Sequence, residues 1–115
     1  MWACSLASGE VRKLDPAGRE AIAAPRFARE AVYLPEAGLL MLGYLLEREG
    51  KLLVPFYDCA ANRWLGAAMP GAEFFNAGKP GASVDLGLVY DPSRRLVWAT
   101  LGNLRKEGAL QVARI

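Results

Sequence analysis

Val32-Tyr33-Leu34-Pro35-Glu36-Ala37-Gly38-Leu39-Leu40-Met41 reads as a strand, a turn opened by proline and a second strand. The pattern returns at an offset of 57 as Val89-Tyr90-Asp91-Pro92-Ser93-Arg94-Arg95-Leu96-Val97-Trp98. Val, Tyr, Pro and Leu coincide, and the two residues after the shared Leu are apolar in both copies. Proline presets φ for a turn while the flanking aliphatic and aromatic residues favour extended backbone, so each copy predicts a β-hairpin. The same offset, without a gap, carries 51–58 onto 108–115, two further strand-like runs. In the first copy the run continues through Asp58-Cys59-Ala60-Ala61-Asn62-Arg63 into Trp64, a tight turn feeding a fourth strand.

The second copy ends before that turn, and its counterpart stands at the start of the chain. Residues 4–11 align with 57–64 at an offset of 53, which sets Gly9 on Asn62. Glycine and asparagine are the types that best tolerate positive φ in a turn. Pro16-Ala17-Gly18 and Pro70-Gly71 then follow as loop signals. Chance likeness between short hydrophobic hairpins is the alternative, but hairpin, third strand and turn recur in the same order. The expected organisation is all-β and antiparallel. Residues 1–18 hold the third and fourth strands of a split unit, 19–71 a complete four-stranded unit, and 72–115 the first three strands of the split unit. The abrupt strand-like opening reads as a chain cut from something longer, or one shaped to associate with its own copies.

The segments 57–64 and 90–98 resemble the Tyr-Asp…Asn-x-Trp strand–turn–strand pattern of kelch-type β-propellers, such as the central domain of galactose oxidases. Neither Gly-His nor Trp-Asp of the WD type occurs. The resemblance implies four-stranded antiparallel blades whose inner strands, around Leu39–Leu42 and Leu86–Val89, are apolar on both faces. It also implies that Trp64, Trp98, Tyr33 and Tyr90 fill the space between blades rather than stack on sugars or bases. Two blades cannot close a propeller, which needs about four to eight. Oligomerisation with strand exchange would complete it: 82–115 give strands one to three of a blade, and 5–15 of the next copy give the fourth. Such a contact is head-to-tail and closes into a ring, a homotrimer of six blades being favoured over a tetramer of eight.

Composition excludes several chemistries. Without histidine there is no Ser-His-Asp triad, Cys-His pair or histidine metal site, and two cysteines cannot hold a structural zinc alone. Cys4 and Cys59 are expected as buried thiols acting as small hydrophobes. No cofactor or metal is expected. A net charge of +2, with Arg94, Arg95, Arg105, Lys106 and Arg114 interrupted by apolar runs, argues against nucleic acid as a partner. No window approaches the ~20 apolar residues that span a bilayer, and no signal peptide is recognisable, so no membrane partner is expected and the compartment stays open.

The least bland loop is 70–83, where Phe74 and Phe75 stand among polar turn residues. They read either as a contact surface with Asn76 and Lys79 as polar anchors, or as a seal over the neighbouring blade. Arg26, Arg29, Glu30 and Asp85 would approach a ring axis if their strand face points inward. The loops 46–51 and 102–108 carry an ordinary solvated mixture of charges. The expected function is a non-catalytic self-assembling scaffold, with itself as first partner and a protein or carbohydrate on its loop face. The alternatives are an enzyme of carbohydrate metabolism with carboxylates and arginines on the ring axis, and a propeller gene fragment with no activity of its own.

Overall fold

The computed structural model describes residues 1–22, 30–49, 51–68, 83–101 and 110–114. Their regular structure is strand, apart from one 3-10 turn at Arg19–Ile22. Five strands form a first antiparallel meander: β3 (Ala31–Leu34), β4 (Leu39–Leu42), β5 (Tyr44–Arg48), β6 (Lys51–Asp58) and β7 (Arg63–Ala68). β4 and β5 are one strand bent at Gly43. Its two halves pair with β6, from Leu39↔Asp58 to Met41↔Phe56 and from Leu46↔Leu53 to Arg48↔Lys51. β3 flanks β4 and β7 flanks β6. A second meander follows, β8 (Ser83–Asp91), β9 (Leu96–Leu101) and β10 (Leu110–Arg114). The chain opens with a separate two-stranded hairpin, β1 (Trp2–Cys4) with β2 (Val11–Lys13).

Four turns of the chain share one conformation. Four loops of four residues close between paired positions: Leu34 and Leu39, Asp58 and Arg63, Asp91 and Leu96, and Ser5 and Glu10. In each, the last loop residue is left-handed: Gly38 at φ 65°, Asn62 at 49°, Arg95 at 54° and Gly9 at 72°. The first sequence offset separates Gly38 from Arg95, and the second separates Gly9 from Asn62. Three of the four loop openers act alike as well. Asp58 Oδ1 accepts from the Ala60 and Ala61 amides, Asp91 Oδ1 from those of Ser93 and Arg94, and Ser5 Oγ from that of Ser8. A short acceptor holding amides two and three residues on is the ordinary means by which such turns are fixed.

Gly43 is where the two meanders join. Its amide donates to Glu30 O at 2.8 Å, and its carbonyl accepts from the Leu86 amide at 2.8 Å. One edge of the bent strand thus passes from β3 to β8, and the ladder runs on through Tyr44↔Asp85, Leu45↔Val84 and Leu46↔Ser83. A Cβ on residue 43 would lie 2.6 Å from Leu86 O, closer than side-chain carbons approach backbone oxygen, so only glycine fits the crossing. The result is one eight-stranded sheet in place of two independent units.

The core lies between the meanders. Leu34, Met41 and Val54 from the first meet Leu86, Leu88, Val97 and Ala99 from the second, with Leu45, fully buried, at the junction. Strand alternation places these residues on facing surfaces, and each buried aliphatic side chain contributes about 1.5–3 kcal/mol by leaving water. On the outward surfaces Val89 is 63% and Tyr33 52% exposed, and Trp64 and Trp98 are half-buried, while Tyr90 packs against the core. Two corrections concern cysteine and loop length. Cys4 and Cys59 are exposed, because Cys59 opens a surface loop and Cys4 ends β1 of the isolated hairpin. The loop expected over 46–51 shrinks to the two residues between paired Arg48 and Lys51, and Glu49 takes φ 53° as such a tight hairpin demands.

Candidate functional site: a cleft beside β8 and β9

Strand alternation divides β8 and β9 into an inner and an outer surface. Leu86, Leu88, Val97 and Ala99 face the core, while Gly87, Val89, Trp98 and Thr100 share the outer side through the pairs Gly87↔Thr100 and Val89↔Trp98. This outer side, with Glu30 and Ala31, lines a cleft of about 560 Å³. Glu30 gives the cleft its one carboxylate among the described lining residues. β8 loses its ladder partner on this edge beyond Leu86, and the Leu88 amide donates to Glu30 Oε2 at 2.6 Å instead. Gly87 leaves the room, since a Cβ there would stand 2.7 Å from Thr100 Oγ1 and 3.7 Å from Glu30 Oε2. The arrangement offers a hydroxyl, an indole and a carboxylate already engaged with backbone. It can hold a polar group beside an apolar surface, and the carboxylate works as a clamp between β3 and β8.

A second, smaller cleft of about 270 Å³ lies at the β5–β6 turn, lined by Arg48, Glu49, Lys51, Leu53 and Gly66. The Arg48 guanidinium donates to Glu20 O in the N-terminal segment. That segment runs along β7, where Ala17 bridges Arg63 and accepts from the Trp64 amide at 2.8 Å.

Charged contacts elsewhere serve the turns. Hydrogen bonds from the Ser93 hydroxyl and then from Arg94 hold the Asp91 carboxyl down at a pKa of about 2. The Tyr90 hydroxyl donates to Glu36 Oε2 at 2.5 Å, linking β8 to the β3–β4 turn. This bond raises the Tyr90 pKa and lowers that of Glu36. Tyr57 donates to Asn62 Oδ1 at 2.7 Å, and its ring meets Trp64 across the strands at 5.1 Å between centroids. Burial raises the Tyr57 and Tyr44 pKa values.

Of the residues expected at a site, Asp85 lies on β8 opposite Tyr44, half-buried at the joint between meanders. Phe74, Phe75, Asn76, Lys79 and Arg26 lie outside the described residues, as do Arg29 and the loop 102–108. The sequence marks Glu30 only as an axis residue, and its bond to Leu88 is not legible there. Gly87, Trp98 and Thr100 carry no signal as a group, because only the β8–β9 register sets them side by side. Among the described residues no group of three or more Asp, Glu or Cys could hold a metal ion, and no helix is long and apolar enough to cross a membrane. The fold defines the class, an all-β protein built on an antiparallel sheet. No protein-family model matches the chain, and no curated protein or solved structure matches it.

Proposed function

We propose that the chain is a non-catalytic, self-assembling β-propeller scaffold with two blades' worth of strands per copy, three copies making a six-bladed ring. The observation that carries this reading is the recurrence of the left-handed loop residue, Gly38 and Arg95, at the spacing of the sequence repeat. A true structural repeat cannot bury its outward faces alone, so stacking with further copies is the route to a complete core. The exposed Val89 and Tyr33 fit a protomer with such faces still to cover. A protein or carbohydrate on the loop face is the partner class that this scaffold takes.

Light scattering coupled to size exclusion, at micromolar concentration, tests the proposal. A mass three times that of the 12.5 kDa chain is expected. A monomeric mass overturns it.

A further inference from the structure

The internal repeat specifies which surfaces of two copies meet. Inside one chain the first meander offers Val32, Leu39 and Met41 to the second, which answers with Leu88, Val97 and Ala99. Shifting each group by one repeat, the offset that carries Val32 onto Val89, gives a different set of residues. The counterparts of Val32, Leu39 and Met41 are Val89, Leu96 and Trp98, on the outer side of the second meander. The counterparts of Leu88, Val97 and Ala99 are Ala31, Leu40 and Leu42, on the outer side of the first. These six are apolar, like the residues they match. None is fully buried, Val89 is 63% exposed, and Tyr33, the counterpart of the core-packed Tyr90, is 52% exposed. The chain therefore carries apolar residues for both halves of a second core and leaves Val89 and Tyr33 exposed on them. Leu34, Val54 and Leu86 are exceptions: their counterparts are Asp91, Gln111 and Arg29, and the Asp91 carboxylate is spent on its own turn.

On the first face Tyr33 is exposed at the β3 edge, while Tyr57, opposite Leu40, is buried. The N-terminal segment bridges β7 at Ala17, and β7 lies at the edge of the meander opposite β3.

We infer that the outer face of β8–β9 in one copy, around Val89 and Trp98, packs on the outer face of β3–β4 in the next, around Tyr33 and Leu40, repeating the packing between the two meanders inside each chain. The occupant of each face is thus a second copy of this chain, and the contact is head-to-tail, joining two different surfaces. The inference rests on the self-assembly reading and names its interface.

Two single substitutions and their mixture test it. Val89→Glu blocks one face and Tyr33→Glu the other, at positions that a lone chain leaves in water. Each variant is expected to keep the wild-type far-UV circular dichroism and to run as a monomer by light scattering. A carboxylate buried without a partner strongly opposes association. Mixed one to one, the two variants are expected to give a heterodimer and nothing larger, because each lends its intact face to the other.

Four outcomes overturn the inference in distinguishable ways. A monomeric wild type ends the self-assembly reading itself. An assembled wild type with both variants still assembled leaves self-assembly standing and removes these faces from it. Loss of assembly in Val89→Glu alone means like faces pairing, and two monomeric variants that do not combine mean that the faces meet something other than each other. Should glutamate unfold the chain, Val89→Thr and Tyr33→Ser take its place, with dissociation constants expected to rise by about tenfold or more.

Discussion

Gly38 and Gly43 stand close together on the chain and are glycine for opposite reasons. Gly38 has φ 65° and open space where a Cβ would go, whereas Gly43 has no such φ and backbone oxygens crowding that position. Gly38→Val is therefore expected to cost about 1–2 kcal/mol through backbone conformation alone. Gly43→Ala is expected to cost about 1–3 kcal/mol through forced separation of β5 from β8. Urea unfolding measures both, and amide exchange separates them, since only the second substitution should expose the Leu86 amide. Asp91 makes a pH prediction. Its pKa of about 2 lies below the ordinary 3.8, so folding favours the charged form. Its contribution is whole above about pH 4 and fades as pH falls toward 2. A carboxyl titration by NMR should place its midpoint near 2, and Asp91→Asn should lower the melting temperature at pH 5 more than at pH 2. Because its partner Arg94 is exposed, salt should shrink the difference.

At the scale of the element, the joint between meanders depends on a few bonds. Glu30 replaces a missing ladder partner for β8 by accepting from the Leu88 amide. Glu30→Ala removes the acceptor, and exchange of the Leu88 amide should accelerate about tenfold, each factor of ten being about 1.4 kcal/mol of local opening. Glu30→Gln keeps an acceptor oxygen and should keep most of the protection. A Gln variant that exchanges as fast as Ala would show that charge, not geometry, makes the clamp. Leu45 tests the joint from inside. It is wholly buried at the junction of the meanders, and Leu45→Ala should cost about 2–5 kcal/mol by urea unfolding. The strands themselves are largely legible in the sequence. Proline with alternating apolar residues marks β3–β4 and β8–β9, and the Asp-to-Asn stretch marks the β6–β7 turn. The β5–β8 ladder is not legible, because its partners lie far apart along the chain and nothing local in either strand selects the other.

For the whole molecule, the expected trimeric mass and the monomeric single-face variants follow from the proposal that copies stack on the outer faces where Val89 and Tyr33 are exposed. Sequence by itself determined what is local: an all-β antiparallel chain, and Gly9 and Asn62 as turn residues of positive φ, which steric freedom at φ alone decides. Burial was beyond it. Cys59 is exposed because it falls in a loop, and Val89, as apolar as Leu88 beside it, faces outward because side chains alternate across a strand. Alternation is written in the sequence, but which of the two faces meets the core is not. Tertiary structure decided that, through the crossing at Gly43 that turns Leu86 and Leu88 inward and leaves Val89 and Trp98 on the outer side. The same crossing created the Glu30 cleft from residues of three strands, a juxtaposition set by the fold of the chain and by no motif within it.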